Sequence, residues 1–349
     1  MSTPDLSDEQ EVSGSDQARR LRNGLISVAV LVAVLVGLVL AVPGLHGVGE
    51  VVAGMSPGWV AAAVALEFAS CAGFIVIFLG VFDRLPIVFG ARVALSEMAF
   101  GAAVSLGGAG SIAVGAWLLH ERGVPTRDIA ERSAVLFLLT SAINLITLAV
   151  FGLGLGTGIL EGPHKPILTV VPGVLSVGMF AFFLLVPRLT ARSASGAGRL
   201  ARALGATGAT IRATARTLFR ADWRLLGAFA FLWCDIGVLW ACFKAIGHAP
   251  PIAVIVLSYQ LGYLANVLPI PGNIGSLEAG FVGMLVLYGA RATPSAAAAV
   301  VYHAIALWIP AIWGTVAFIR VRRSHNEPLT PRTPREERSQ LRRFGRRLR

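Results

Sequence analysis

Glu278 offers the most chemistry in this sequence. It follows directly on a break in the stretch NVLPIPGNIGSLEAG, residues 266–280, where two prolines, three glycines and two asparagines interrupt a hydrophobic run. Pro269 and Pro271 donate no backbone hydrogen bond and restrict the residues before them, while Gly272 and Gly275 permit tight turns. Ser276 is a good N-cap for a new helix. Glu278 then falls in the first turn, where the helix dipole favours negative charge and free N–H groups can hold an anion. It is either a helix-capping carboxylate or a functional one, rivalling an anionic ligand or switching by protonation.

Other polar residues raise the same question, because a charge inside a membrane span costs about 2.5–3.5 kcal/mol on insertion scales. Asp235 sits mid-run in FLWCDIGVLW and either faces a cavity or pairs with a buried cation. His303 either takes part in proton coupling or packs as a satisfied histidine. Arg92 and Glu97 lie on the way into another interrupted segment, Arg92 as a lipid-phosphate ligand or an interfacial anchor. Asn144, Gln260, Asn266 and Asn273 line a polar path or join helices by hydrogen bonds. Glu67 stands alone in its apolar run, and Lys244 lies near a run's end, where it can snorkel. No phosphate-binding G-x-x-x-x-G-K-[ST], no H-E-x-x-H and no nucleophile elbow occurs, so neither an enzyme nor an ATP-driven pump is expected and no cofactor is implied.

The elements that must position these residues are transmembrane helices. The chain is 55% hydrophobic and 14% charged, against roughly 45–50% and 25% in soluble domains. Cys71, Cys234 and Cys242 all fall in apolar runs with neither metal-ligand spacing nor an even count, and read as small hydrophobes. Runs near the roughly 20 residues of a full span occupy 24–42, 59–82, 133–155, 166–187, 225–246 and 295–319. Two further regions, 93–120 and 252–288, are interrupted, the first by LGGAGS at 106–111 and the second by PIPGNIGS at 269–276.

Of 30 basic residues 28 are arginine, and they concentrate in the N-terminal tail, 83–92, 121–132, 187–224 and 320–349. The positive-inside rule places all five on the cytoplasmic side. The interrupted regions must then each enter and leave by one face, the first from inside and the second from outside. At an offset of 165, Gly107, Gly110, Ser111 and Gly115 match Gly272, Gly275, Ser276 and Gly280. The expected fold is therefore an all-α polytopic membrane protein with about six full spans and two oppositely oriented broken, re-entrant hairpins. These form an inverted repeat, about 59–187 and 225–320, an arrangement that puts a binding site near the midplane. Residues 1–23 are expected to be a disordered cytoplasmic tail ahead of a transmembrane region at 24–320. The segment 188–224, with eight arginines, reads as a basic amphipathic helix. It and the basic tail 321–349 are expected to lie on anionic inner-leaflet lipid rather than nucleic acid.

Three stretches carry a resemblance. LPIPGNIGSLEAG (268–280) resembles the P-x-P-G-G-x-G-x-x-E signature of the flippase-type transmembrane region of lysylphosphatidylglycerol synthases and their stand-alone relatives. VVYHAIALWIPAIWG (300–314) is similar to that family's penultimate signature, with Pro310 and Gly314 in place and His303 where arginine is common. IAERSAVLF (129–137) resembles the E-R pair that opens a span. The family's first-break proline, carboxylate and arginine are absent from SLGGAGSIAVGAW (105–117). The resemblance implies a translocator of a phospholipid or lipid-linked headgroup in the cell membrane, without the soluble aminoacyl-transfer domain. A homo-oligomer and a partner enzyme are both compatible with the sequence. The alternatives from the residues alone are an ion- or proton-coupled small-solute transporter and a non-transporting scaffold.

Overall fold

Prolines open the helices and glycines close them. Pro57 stands at the first position of its helix, Pro125 and Pro251 at N-cap positions, and Pro166 begins another helix. A proline there gives up an N–H that no helix bond would have used. Gly247 (φ 97°) and Gly289 (φ 92°) follow two helix ends in the left-handed region, which residues with a Cβ rarely adopt.

The computed structural model describes residues 48–103, 109–163, 165–193, 224–264 and 276–323, with isolated positions between 208 and 218. The expected tail at 1–23, the expected span at 24–42, most of 194–223 and the tail from 324 lie outside the described residues. So do Gly107, Asn266, Pro269, Pro271, Gly272, Asn273 and Gly275.

Every described regular element is an α-helix: α1 Val48–Ala53, α2 Pro57–Val81, α3 Ile87–Ala103, α4 Ala109–Glu121, α5 Thr126–Gly156, α6 Pro166–Ser193, α7 Arg224–Ile246, α8 Ile252–Gly262, α9 Ser276–Leu287 and α10 Ala292–Arg323. Five of these, α2, α5, α6, α7 and α10, are long and apolar enough to cross a membrane. They coincide with five of the six expected spans. Each interrupted region resolves into two short helices, of 17 and 13 residues in α3 and α4 and of 11 and 12 in α8 and α9. At 1.5 Å per residue none exceeds about 26 Å, short of a hydrocarbon core of about 30 Å.

Two boundaries differ from the sequence reading. Residues 121–132 are not one loop, because α5 starts at Thr126. Its first turns are polar but helical, with the Arg127 and Glu131 side chains paired at 2.8 Å across one turn. Arg132 then reaches back to the preceding spans, donating to the Val81 carbonyl at 2.5 Å and to Asp83 at 2.7 Å. A cation at that point compensates the unpaired carbonyls at the end of α2. Likewise α3 starts at Ile87, so Arg92 is inside a helix rather than in a basic loop.

The centre of the bundle is the crossing of α2 and α7. Of the most apolar stretch of each, 44% is buried, against 17% for α6. Accordingly α6 presents Ile167, Leu175 and Phe182 outward, the side chains lipid would cover. Contacts along the α2–α7 crossing run in opposite senses. Trp59 meets Trp240 edge-on at one end, the Ser70 hydroxyl donates to the Phe231 carbonyl at 2.9 Å, and Gly80 lies against Arg224 at the other end. The two helices are therefore antiparallel. Gly73 and Gly227 bring their backbones together: a Cβ on Gly73 would lie 2.6 Å from the Phe231 nitrogen, and one on Gly227 2.7 Å from the Ile77 nitrogen. This is the small-residue packing that holds helices in lipid, where no hydrophobic force drives them together.

The helix order long, short, short, long occurs twice, starting at 57, 87, 109 and 126 and again at 224, 252, 276 and 292. The packing pairs repeat too. α3 lies on α10 as α8 lies on α5, and α10 touches α2 as α5 touches α7.

Candidate functional site

A cavity of about 330 Å³ opens beside the α2–α7 crossing. Its wall takes Glu67, Ser70 and Phe74 from α2, Phe231 and Asp235 from α7, and Tyr302, His303, Ala306 and Pro310 from α10. The remaining wall comes from the two interrupted regions. Gly101 and Ser111 flank the first break, while Tyr263 and Leu277 flank the second. Described residues on both sides of each break thus line one cavity.

Pro310 lies inside α10 and has no N–H to return to the carbonyl of Ala306 one turn back. Both residues are on the cavity wall. A helix can leave such a carbonyl unpaired only where protein or water meets it.

Three carboxylates reach this cavity, and no lysine or arginine is among its described lining residues. Asp235 is clamped by two phenols, since the hydroxyls of Tyr259 from α8 and of Tyr302 from α10 each donate to one of its oxygens, the second at 3.0 Å. Phe281 packs against both rings, at 5.6 and 5.3 Å between centroids. Asp235 therefore ties α7 to α8 and α10 while accepting as an anion can. Of the two sequence alternatives, it faces a cavity, and no basic side chain pairs with it among the described residues.

Glu97 lies against Gly115 of α4, so closely that a Cβ there would overlap its carboxylate. The glycine provides the space that the acid occupies. Glu67, 3% exposed, has one oxygen 3.7 Å from the Cys71 sulfur; its other oxygen, Oε2, is buried without a hydrogen-bond partner.

Glu278 is in the first turn of α9, which starts at Ser276 as the sequence indicated. Its Oε1 lies 3.1 Å from His303 Nδ1, within ion-pair distance though out of line for a hydrogen bond. His303 is on the cavity wall, so Glu278 meets the cavity through the imidazole.

The cavity thus collects Asp235, His303 and Glu97, with Glu278 one contact behind. Arg92 is not on the wall, and its carbonyl accepts from Ser96 within α3. Gln260 turns toward α5, its amide 3.5 Å from the Asn144 carbonyl, which favours the helix-joining role over the polar path. Asn144 itself donates to the Thr140 carbonyl. Lys244 lies over the Trp240 ring near the end of α7, consistent with an interfacial position.

Sequence reasoning underrated Glu67 and passed over Tyr259, Tyr263 and Tyr302. A signal was available: Glu67 and Asp235 are 168 positions apart, and α2 and α7 start 167 apart. Corresponding helices carry their one mid-span acid at almost corresponding places.

Comparisons with known proteins agree with this architecture. The family described as the lysylphosphatidylglycerol synthase TM region matches residues 24–314, which include both interrupted regions and every cavity residue. A UPF0104 membrane protein of Methanothermobacter thermautotrophicus is 35% identical over 86 residues. That alignment spans 24% of this chain and 24% of the archaeal protein. The chain is a polytopic membrane protein that belongs to the lysylphosphatidylglycerol synthase transmembrane-region family.

Proposed function

We propose that the protein is a lipid translocator that carries a phospholipid or lipid-linked headgroup across the cell membrane while the acyl tails remain in lipid. The observation that carries this reading is that residues flanking both interruptions line one cavity, which also takes Glu67, Glu97, Asp235 and His303 into an otherwise largely apolar wall. Irregular backbone at membrane depth is tolerated only in protein or beside water, and such a chamber supplies both. The antiparallel α2–α7 crossing and the twofold helix order support an inverted repeat, with α3–α4 and α8–α9 as hairpins entering from opposite leaflets. The distribution of basic residues favours a cytoplasmic location for both tails. Three acidic side chains, with no lysine or arginine among the described lining residues, suit the amine end of a headgroup better than its phosphate.

The absence of basic residues among the described lining side chains also favours a second reading, a route for a small cationic solute. One experiment separates the two. The protein is reconstituted, and transbilayer movement of labelled phospholipids is followed beside uptake of organic cations. The lipid reading predicts movement faster than in protein-free liposomes, and a slower rate in Glu278→Ala, which removes the carboxyl group 3.1 Å from the wall residue His303. Cation uptake without lipid movement would replace the first reading by the second.

A further inference from the structure

The α2–α7 crossing places two carboxylates side by side. Ser70 and Phe231 are bonded across it. One turn back along α2 is Glu67, and one turn on along α7 is Asp235. Because the helices are antiparallel, both steps go the same way. The two acids line one cavity from facing helices, near enough to act on each other electrostatically.

Their surroundings differ. Both Asp235 oxygens are engaged by tyrosine hydroxyls, whereas Glu67, also on the cavity wall, has its Oε2 buried with no hydrogen-bond partner. Among the described residues the titratable neighbours supply no fixed positive charge. α2 contributes Cys71, α7 Cys234 and α3 Glu97. From the other side come Tyr259 of α8, Tyr263, and Tyr302 of α10. His303 is the one imidazole among the described lining residues, and its Nδ1 lies 3.1 Å from Glu278. Two like charges held side by side at a largely buried site favour one compensating positive charge. An alkali ion needs several oxygen ligands at once, and the Asp235 oxygens are already taken. A proton needs only Glu67 Oε2.

We propose that Glu67 and Asp235 form an exchangeable proton-binding pair, with Glu67 as the proton carrier and Asp235, fixed by Tyr259 and Tyr302, as the stationary charge that makes the proton necessary. Loading forms the O–H bond of the Glu67 carboxyl; unloading breaks it and returns the proton to cavity water, leaving the pair doubly negative until a cationic group or a new proton enters. This gives the chamber a coupling ion. It rests on the transport reading for its use but not for its chemistry.

Difference infrared spectroscopy of the full-length protein in liposomes tests it, because protonated and ionised carboxyls absorb separately and no lipid need move. Wild type is titrated across neutral pH in sodium and in potassium salts. The expected result is a protonated-carboxyl band that follows pH, is indifferent to the alkali ion and is lost in Glu67→Gln. In Asp235→Asn its titration collapses from two coupled steps to one. If Glu67→Gln does not fold, Cys71→Ala retains the carboxyl and is expected to shift the band by removing its sulfur neighbour. A protonated-carboxyl region unchanged in Glu67→Gln at every pH, or in Cys71→Ala where that substitutes for it, would overturn the proposal. So would a band that follows sodium at constant pH, or an unaltered titration in Asp235→Asn. A positive titration with no lipid movement would sink the translocator reading alone.

Discussion

Gly73→Val is expected to leave little folded protein. The new Cβ would lie 2.6 Å from the Phe231 nitrogen and 2.8 Å from the Gly227 oxygen, both backbone atoms of α7. Flexible side chains can rotate away from such a clash, but a helix backbone cannot, so the two central helices must separate. Overpacking a fitted core costs about 1–3 kcal/mol even where side chains can yield, and here the Ser70–Phe231 hydrogen bond and the Glu67–Asp235 juxtaposition would open as well. Thermal denaturation followed by size-exclusion chromatography in detergent reads the effect. Gly178→Ala on the lipid-facing helix α6 is the control, since its Cβ would meet nothing within 4 Å, and a change within about 0.5 kcal/mol is expected. Equal stability of the two variants would show that α2 and α7 do not cross as closely as described.

Asp235→Ala is expected to lose both stability and translocation. It strands the hydroxyls of Tyr259 and Tyr302, which are 5% and 0% exposed. A buried donor left without an acceptor costs about 1–3 kcal/mol, so about 2–6 kcal/mol is expected from the two together. Asp235→Asn keeps one acceptor oxygen and should fall between wild type and alanine. The mechanism is checked by a double-mutant cycle: Asp235→Ala combined with Tyr302→Phe should cost less than the sum of the two changes, because the phenylalanine has no hydroxyl to strand. Additive costs would remove the tyrosine clamp from the account.

How far the sequence could be read followed from what hydropathy records. Spans such as α2 and α7 were legible because an apolar run of their length has no other use. Their ends were not, because a helix continues beyond the oil: α5 begins seven residues before its apolar run at 133, held by the Arg127–Glu131 pair. The two interrupted regions were legible from proline, glycine and short arm length. The short helix α1, only six residues, left no periodicity to detect. Expensive residues could also be identified singly, which is why Asp235 and His303 were found. Which of them meet could not be, because that depends on the register of α2 against α7, set by Gly73 and Gly227 and visible only once the helices are docked. The phenols of Tyr259 and Tyr302 were passed over for the same reason, since a tyrosine in an apolar run gives no sign that its hydroxyl will reach a carboxylate on another helix.

Filling the chamber tests most directly whether it is the route. Ala306 is on the wall, a turn before Pro310, and Ala306→Trp would place an indole into a space of about 330 Å³ while leaving every acidic side chain in the sequence unchanged. Movement of headgroup-labelled phospholipid is measured in liposomes containing wild type, folded Ala306→Trp, or no protein. The account predicts rapid movement in wild type and a fall to the protein-free rate in the filled variant. A filled variant as fast as wild type, or a wild type no faster than empty liposomes, would contradict it.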